Sequence, residues 1–479
     1  MKKLFKQEQI TPDIESLDLR NLLKKNSRDM IITYDMSYFN KLPQSFQKFV
    51  DICEKALKLA IEYFSRLIKI VPKSEQYMKY KSSKCLLVDV PQNDKTKAKN
   101  SDLHLYISYN NDPNQEYQAF AYLCQFVKGI GPTHGLINFN LSQIQTNFDK
   151  DYNIQFEDLV EIVIHEITHI LGFSDLDIPN WVNSKGKPYT NPTITKQING
   201  IDTLFLQTPN VLKFAQDYFG CPTLVGMPLQ NIGGKDSEKS HWQNSILQNE
   251  YMNASVISTQ AYFSGFTINL LRDTGYYQQI NAQMEEQMFY GKGKGCEYVM
   301  GKCDIKLREY CDPKNEAALC DFHHYGFAEC KTGLYNNSNC NNLFVYDNAK
   351  CFDVNSPFND SKITKSNGNK FGTDSRCFNG SLLAKGYKQR NIIKGQCYKY
   401  ECSANGQQVN IYIESVKLVC NKNSEQKTVE NYSGFVQCPE NIQEFCKFKK
   451  ICPNFCSTNG YCIKNKCVCA KGFFGQDCS

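Results

Sequence analysis

The chain has 479 residues, a net charge of +6, 41% hydrophobic residues and 22% charged residues. This length and composition allow about two to four domains with a sizeable core, and they exclude disordered, collagen-like and fibrous proteins. The chain has no basic stripe with interleaved aromatic residues and no apolar run of about 18 residues, so neither a nucleic-acid partner nor a membrane span is expected.

The first part of the chain is predicted to be a mixed α/β unit. Its predicted elements are a strand at 29–35, a helix at about 44–70, strands at 103–109 and 135–140, and a helix from about 157 to 171. Glu157 and Asp158 suit the positive N-terminal end of the second helix, and Gly172 suits its C-cap.

The cysteines divide the chain into two unequal parts. Four of the 23 lie in residues 1–295, namely Cys53, Cys85, Cys124 and Cys221, and nineteen lie in the last 184 residues. This density indicates an oxidising compartment. Residues 176–285 are expected to hold loops and helical pieces, and short strands stapled by disulfides are expected after Cys296. Because 23 is odd, at least one thiol is unpaired within this chain.

The second helix carries the sequence HEITH at residues 165–169. Residues i and i+4 lie on one face of a helix, so His165 and His169 can bind one ion. Glu166 projects about 100° round from His165, where it can take a proton from a water that zinc has acidified. The alternative is a pair of core or surface histidines. The expected number of chance matches to this five-residue pattern in the chain is roughly 0.005, which disfavours that alternative.

A catalytic zinc site needs a third protein ligand and an open position. Asp175, three residues after Gly172, could ligate, although it would be an unusual choice. The other candidates are His104, His134, His241, His323 and His324. His241 stands in a Ser-His-Trp segment, and Met252 follows it eleven residues later.

Together these segments resemble the leishmanolysin-type zinc metalloproteases, a family of metzincins. The resemblance covers roughly residues 29–450 and is carried, in order and spacing, by residues 165–173 (HEITHILGF), 208–229, 240–252, 273–277 and 291–296. It implies that His165, His169 and His241 bind one Zn²⁺ per chain and that Glu166 is the general base. It also implies that Met252 is the Met-turn residue beneath the metal.

The resemblance implies an α+β fold, in which a metzincin-like catalytic domain of mixed sheet and long helices precedes a disulfide-rich domain. It implies a secreted or cell-surface zinc endopeptidase that hydrolyses extended peptides paired along a sheet edge, by Glu-assisted attack of water. Protein and peptide substrates are the expected partners. The alternative is a surface adhesion or structural glycoprotein that uses this scaffold with lost or incidental catalysis. Another zinc hydrolase is disfavoured by the Met-turn resemblance.

The last six cysteines have the spacing of an EGF-like module. That resemblance implies the pairs 452–462, 456–467 and 469–478, although sequence alone does not fix connectivity. Zinc binding by these cysteines is the alternative. The expected role of the module is spacing or contact with another extracellular protein. The four early cysteines and the six terminal ones are even in number, so each group can pair within itself. The unpaired thiol is therefore expected among the thirteen cysteines in residues 296–446.

Five segments and a secretory route complete the prediction. The segments are an N-terminal extension (1–21), an N-terminal catalytic subdomain (22–175), a central subdomain (176–285), a cysteine-rich domain (286–450) and the EGF-like module (451–479). The N-terminus lacks the apolar stretch of a complete signal peptide. The cysteines nevertheless favour secretion, as do glycosylation sequons at Asn140, Asn336, Asn359, Asn379 and Asn431. The sequon at Asn253 is expected to be buried and unused. We expect His104, His134, His323 and His324 to be structural and Trp242 to anchor the ligand loop.

Overall fold

The computed structural model describes residues 8–11, 26–148, 152–198, 200–232, 237–254, 260–314, 318–332, 340–387, 392–448 and 450–479. Its helices are α1 (Gln47–Leu67), α2 (Gln92–Thr96), α3 (Leu141–Phe148), α4 (Tyr152–Leu171), α5 (Pro209–Phe219), α6 (Gly265–Asp273), α7 (Gly295–Met300), α8 (Ser361–Asn367) and α9 (Ile442–Lys447). Its strands are β1 (Glu8–Ile10), β2 (Arg28–Asp29), β3 (Ile32–Asp35), β4 (Ile68–Ile70), β5 (Lys84–Cys85), β6 (Val88–Asp89), β7 (Leu103–Asn110), β8 (Ala119–Val127), β9 (Gly131–Asn140), β10 (Thr193–Ile198), β11 (Ile201–Leu206), β12 (Met227–Pro228), β13 (Gln279–Ile280), β14 (Gly326–Lys331), β15 (Asn342–Lys350), β16 (Ser375–Gly380), β17 (Leu383–Ala384), β18 (Lys394–Cys402), β19 (Val409–Ile413), β20 (Val416–Cys420), β21 (Gln426–Lys427), β22 (Tyr432–Ser433), β23 (Val436–Gln437), β24 (Gly460–Ile463) and β25 (Lys466–Cys469).

The first half of the chain is built on a five-stranded sheet with the strand order β1-β8-β9-β7-β3. Strands β3, β7 and β9 are parallel, whereas β8 is antiparallel to β9. Strand β1 pairs only with the last three residues of β8. Helix α4 packs against β8 and β9 on one side and against α1 on another. The predicted α+β architecture of mixed sheet and long helices is confirmed.

Helix α4 is buried on nearly every side, as expected of a helix enclosed by other elements, and its buried residues include charged and polar ones. It begins at Tyr152, five residues before the predicted start. The prediction that Glu157 suits the helix N-terminus is therefore wrong, because Glu157 is buried in the helix body and accepts a hydrogen bond from Gln260 Nε2 at 2.5 Å. Gly172 follows the helix with a φ of +142°, so its predicted capping role is confirmed.

Several strands differ from the prediction. The expected strand at 29–35 is two strands, since β2 pairs with β4 and β3 pairs with β7. Strand β8 was not predicted, because its mostly apolar run lacks the alternation that separates a strand from a helix. Residues 193–206 form the hairpin β10–β11 in a region where loops and helical pieces were expected.

Eleven disulfides pair every cysteine except Cys53, which is buried in α1. The disulfides are 85–124, 221–296, 303–340, 311–330, 320–377, 351–397, 402–446, 420–438, 452–462, 456–467 and 469–478. The three terminal pairs confirm the expected connectivity and leave no thiolate for the alternative zinc site. The prediction that the unpaired thiol lies in residues 296–446 is wrong. Cys296 pairs back to Cys221 in the first half, so the odd cysteine is left there.

The C-terminal segment packs onto the first half of the molecule. A single hydrophobic cluster extends from Met30 to Tyr461. The rings of Tyr63 on α1 and Tyr461 on β24 are 5.4 Å apart, and the 3₁₀ turn at Pro453–Thr458 packs against α4. A separate six-stranded sheet, β20-β19-β18-β16-β23-β21, has its own core. No helix in the described parts of the chain combines the length and hydrophobicity needed to cross a membrane.

Candidate metal centre

Three histidines from two segments converge at one point. The Nε2 atom of His169 lies 2.9 Å from that of His165 and 3.1 Å from that of His241, and the remaining Nε2 pair is 3.3 Å apart. Three nitrogens at tetrahedral positions 2.0–2.1 Å from one zinc ion would be about 3.3 Å apart. The spacing in the structure is thus close to that of a zinc ligand set.

The Nδ1 atoms show which nitrogen carries the proton in each ring. His165 Nδ1 lies 2.5 Å from the carbonyl oxygen of Tyr251, His169 Nδ1 lies 2.7 Å from that of Phe173, and His241 Nδ1 lies 2.8 Å from that of Ser237. A carbonyl oxygen only accepts, so each Nδ1 is the donor and each Nε2 is bare. Hydrogen bonds between the Nε2 atoms are therefore ruled out. Three converging lone pairs repel one another unless a cation lies between them, so the residues fit a metal ion.

Burial supports the same protonation states. It is the largest cause that lowers the pKa of His165, His169 and His241, each to about 3, and the neighbouring histidines lower it further. The rings are therefore neutral in the metal-free protein at physiological pH. Neutral imidazole nitrogens suit zinc and other transition metals better than calcium or magnesium.

Glu166 is buried beside the first histidine of the centre. Burial raises its pKa to about 8, and a hydrogen bond from the backbone N–H of Ala121 partly opposes that rise. Ala121 belongs to β8, so the carboxyl group lies between the histidine helix and the sheet. A carboxyl group with such an elevated proton affinity is suited to accept and return a proton near neutral pH.

The loop that carries His241 is held by packing on both sides. Trp242 is completely buried, donates from Nε1 to Thr267 Oγ1 at 2.9 Å and packs on Phe173 with ring centroids 4.7 Å apart. This confirms Trp242 as a packing anchor. The backbone N–H of Asp175 donates to Ser240 Oγ at 3.1 Å, so Asp175 supports the loop from outside the three-histidine cluster.

The segment that carries Met252 lies behind the first histidine. Met252 is completely buried, and its carbonyl oxygen accepts from Trp242 N at 3.0 Å. Glu250 Oε2 accepts from Met252 N at 2.5 Å, and Oε1 accepts from Ser264 N at 3.2 Å. The segment thus joins the His241 loop to the carbonyl group that orients His165. Asn253 is buried, so its side-chain amide is not accessible from the surface, as expected for an unused sequon.

The C-terminal end of α4 is equally constrained. Tyr277 OH donates to the carbonyl oxygen of Leu171 at 2.7 Å, and Trp181 Nε1 donates to that of Gly172 at 3.2 Å. The chain then turns so that Phe173 presents its carbonyl oxygen to His169.

The other histidines lie away from this centre. Among the described residues, the groups whose ligand atoms come within 4.8 Å of one another are the three histidines and the disulfide-bonded Cys452, Cys456 and Cys467. His104 contacts Thr33 Oγ1, His134 contacts Thr133 Oγ1, and His324 contacts the carbonyl oxygen of Cys377. His323 is buried and stacks on Tyr325. All four fit the structural role expected from the sequence.

The structure brings the three predicted histidines together, with Glu166 next to His165 in the helix and Met252 in contact with the His241 loop. The groups that support these residues were not predicted from the sequence. The carbonyl groups of Tyr251, Phe173 and Ser237 have no side-chain signature that a motif search could find. Ala121 was missed because β8 itself was missed. Glu250 was detectable, because it is an acid two residues before Met252 in a segment that the resemblance singled out.

Comparison with known proteins gives a consistent family assignment. A family model described as leishmanolysin, peptidase family M8, matches residues 48–338. The chain is 27% identical over 323 residues to a ciliated left-right organizer metallopeptidase of Danio rerio, covering 63% of this chain and 48% of that protein. It is 29% identical over 251 residues to a leishmanolysin homolog of Crithidia fasciculata (50% and 35%) and 24% identical over 243 residues to leishmanolysin of Leishmania major (48% and 36%). The chain spans about half or less of the length of these relatives.

Proposed function

Since the chain belongs to the leishmanolysin family of metallopeptidases, we propose that it is a zinc-dependent endopeptidase acting outside the cell or at its surface. The observation that carries this proposal is the convergence of three bare Nε2 atoms beside a buried glutamate. In this proposal His165, His169 and His241 bind one zinc ion, Glu166 is the general base, and Met252 lies beneath the metal.

The chain supplies the proton transfer and the orientation. A zinc ion bound by three histidines supplies a Lewis acid that acidifies water and polarises the scissile carbonyl group. Glu166 takes the proton from the attacking water and returns it to the leaving amine. The Ala121 N–H holds the carboxyl group in place. The backbone carbonyl groups behind the three rings keep each Nε2 directed at the metal.

An extended substrate would add to the edge of β8. Within the described residues, β9 covers one side of this strand, and β1 covers the other side only at Gln125–Val127. The start of β8, at Ala119–Ala121, therefore lies along an edge that no other described strand pairs with, beside Glu166. Main-chain pairing with an exposed strand is a common way of binding peptides with little regard to their sequence.

Eleven disulfides support a secretory route. Asn140 is buried, whereas Asn431 is exposed and is the better candidate for a glycan.

We also propose that residues 451–479 are an EGF-like module. Phe474, which is 75% exposed, offers a site for contact with an extracellular protein. The five-segment division of the chain stays a prediction.

Replacement of Glu166 by glutamine tests the mechanism. Glutamine fills the same space and leaves the three histidines intact, but it cannot accept the proton. We expect Glu166→Gln to bind one zinc per chain and to lose cleavage of an unfolded protein substrate by at least about 100-fold, which is the ordinary contribution of a general base. Zinc content by mass spectrometry and a peptide-release assay provide the two measurements.

The control is Glu297→Gln, a matched change at an exposed position in α7, which should leave cleavage unchanged. If Glu166→Gln cleaves as well as the parent protein, the proposed mechanism is wrong. If the parent protein binds zinc but cleaves nothing in a broad peptide library, the alternative of an adhesion or structural glycoprotein on this scaffold is favoured.

A further inference from the structure

A lysine is buried behind the histidine centre. The Lys450 side chain is 1% exposed, and its Nζ lies 3.0 Å from Glu286 Oε2 and 3.4 Å from Glu161 Oε1. Burial alone would lower the pKa of Lys450, but Glu286, Glu161 and Glu157 together outweigh burial and raise it. The lysine is therefore charged. A buried charge is stable only where its partners are held in place, so this cluster has a defined geometry.

One connection from Lys450 to the centre runs along α4. Glu161 precedes His165 by one helical turn, so the two side chains share a face of the helix. The second carboxylate oxygen of Glu161 accepts from Ala261 N at 3.0 Å. Lys450 and Ala261 thus hold the helical turn from which His165 projects.

A second connection runs through Tyr251. Lys450 Nζ lies 5.1 Å from the centroid of the Tyr251 ring, which is within the range of a cation–π interaction. The backbone oxygen of Tyr251 is the atom that accepts the Nδ1–H of His165. Lys450 therefore contacts both the helical turn before His165 and the residue behind its ring.

The C-terminal segment fixes the lysine from the other side. The side chain of Asn465 donates to the carbonyl oxygen of Ile451, next to Lys450. Glu286 Oε1 accepts from Lys464 N at 3.2 Å, and its Oε2 accepts from Phe263 N at 3.0 Å. The terminal hairpin, the lysine and the loop after the Met-turn consequently form one connected unit.

We propose that Lys450 is a positioning residue for His165, so that the C-terminal segment sets the geometry of the metal centre. This inference rests on the proposed function, because it takes His165 to be a metal ligand. A lysine that only joins the two parts of the molecule would behave differently, and Lys55 provides that comparison. Its Nζ donates to Thr458 Oγ1 at 2.8 Å across the same interface and lies over the Phe156 ring.

The experiment compares Lys450→Met with Lys55→Met in the full chain. Zinc affinity is measured by competition with a chromogenic chelator, and ligand geometry by the visible absorption of the Co²⁺-substituted protein. Loss of an outer partner of a metal-binding histidine costs about 10- to 100-fold in affinity. We expect Lys450→Met to weaken zinc binding by about tenfold and to alter the Co²⁺ spectrum. Lys55→Met should change neither.

Equal zinc affinities and equal Co²⁺ spectra for the two variants would overturn the proposal. If Lys450→Met does not fold, Glu161→Ala removes the contacts of residue 161 with Lys450 and with Ala261 N and leaves the Lys450–Glu286 pair. Unchanged zinc affinity in Glu161→Ala would then overturn the proposal. If the wild-type chain takes up no zinc, the proposed function itself fails. If it binds zinc and Lys450→Met binds it equally well, only the positioning role fails.

Discussion

Gly172 connects the end of the histidine helix to the orientation of a proposed ligand. Its φ of +142° is unfavourable for any residue with a side chain. A Cβ atom there would lie 2.8 Å from Thr274 Cγ2 and 3.2 Å from Asp177 Oδ2. The next residue, Phe173, supplies the carbonyl oxygen to which His169 donates. Backbone strain introduced by a side chain at position 172 would therefore reach the carbonyl group that orients His169.

We expect Gly172→Ala to lower the free energy of unfolding by about 1–3 kcal/mol and to weaken zinc binding. Urea unfolding of the metal-free protein and chelator competition measure the two effects. Gly186→Ala is the matched control, because Gly186 has a φ of +72° but has no atom within 4 Å of the added Cβ. Equal losses of stability in the two variants, with zinc affinity unchanged, would contradict the packing argument.

The histidines could be predicted from the sequence, but their supports could not. The HEITH spacing specifies two ligands through helix geometry alone, and the family resemblance supplied His241. The carbonyl groups behind the rings depend on where distant loops return. The contact between Lys450 and Glu161 depends on how the C-terminal segment docks, and no local pattern records it.

At the scale of elements, the proposed Met-turn depends on one carboxyl group. Each oxygen of Glu250 accepts from a backbone N–H that cannot rotate, Oε2 from Met252 and Oε1 from Ser264 at the start of α6. The hydroxyl groups of Ser264 and Thr267 also donate to Oε1, at 2.7 and 2.5 Å. A side-chain amide has only one oxygen, so its NH₂ group must face one of the two N–H groups.

At pH 8, above the pKa of about 7 of the Glu250 carboxyl group, Glu250→Gln should therefore leave a buried donor without a partner, at a cost of about 1–3 kcal/mol in the free energy of unfolding. Zinc affinity should also fall, because Tyr251 lies between Glu250 and Met252 and orients His165. Urea unfolding and chelator competition are the measurements. Glu297→Gln, at an exposed position, should change neither. A Glu250→Gln protein as stable as the parent would show that the segment relaxes around the amide.

Elements whose apolar residues recur at a regular spacing were predicted well, and elements without such a spacing were not. The apolar spacing of α1 predicted its extent to within three residues at each end. Strand β8 has no clean alternation, and the hairpin β10–β11 mixes exposed, half-buried and buried positions without a regular period, so neither gave a signal. The free cysteine was misplaced because pairing between the two halves is a tertiary property.

At the scale of the whole molecule, two sets of buried groups titrate in opposite directions. Burial is the largest cause that lowers the pKa of the histidines His104, His134, His165, His169, His241, His323 and His324. Burial is also the largest cause that raises the pKa of carboxyl groups, to about 6 for Asp321, about 7 for Glu157, Asp177 and Glu250, and about 8 for Glu161 and Glu166.

A histidine whose pKa is lowered in the folded protein makes the protein less stable as the pH falls below about 6.5, its pKa in the unfolded chain. A carboxyl group whose pKa is raised in the folded protein makes the protein less stable as the pH rises from about 4, its pKa in the unfolded chain, to its pKa in the folded protein. The two sets oppose each other between about pH 4 and pH 6.5. Of these two sets, only the carboxyl groups change the stability above pH 6.5. Their effect extends to about pH 8, the highest of their raised pKa values.

The free energy of unfolding of the metal-free protein should therefore fall between pH 6.5 and pH 8, by at most about 1.4 kcal/mol per pH unit for each carboxyl group that keeps its proton. Urea titrations at the two pH values, with a chelator present and the disulfides intact, measure the change. Glu161→Gln removes one of the groups with a pKa of about 8 and should reduce the fall. Glu116→Gln, on the surface, should leave it unchanged. Constant or increasing stability across this range would mean that the buried carboxyl groups are ionised in the folded protein, and that their partners, Lys450 foremost, compensate them fully.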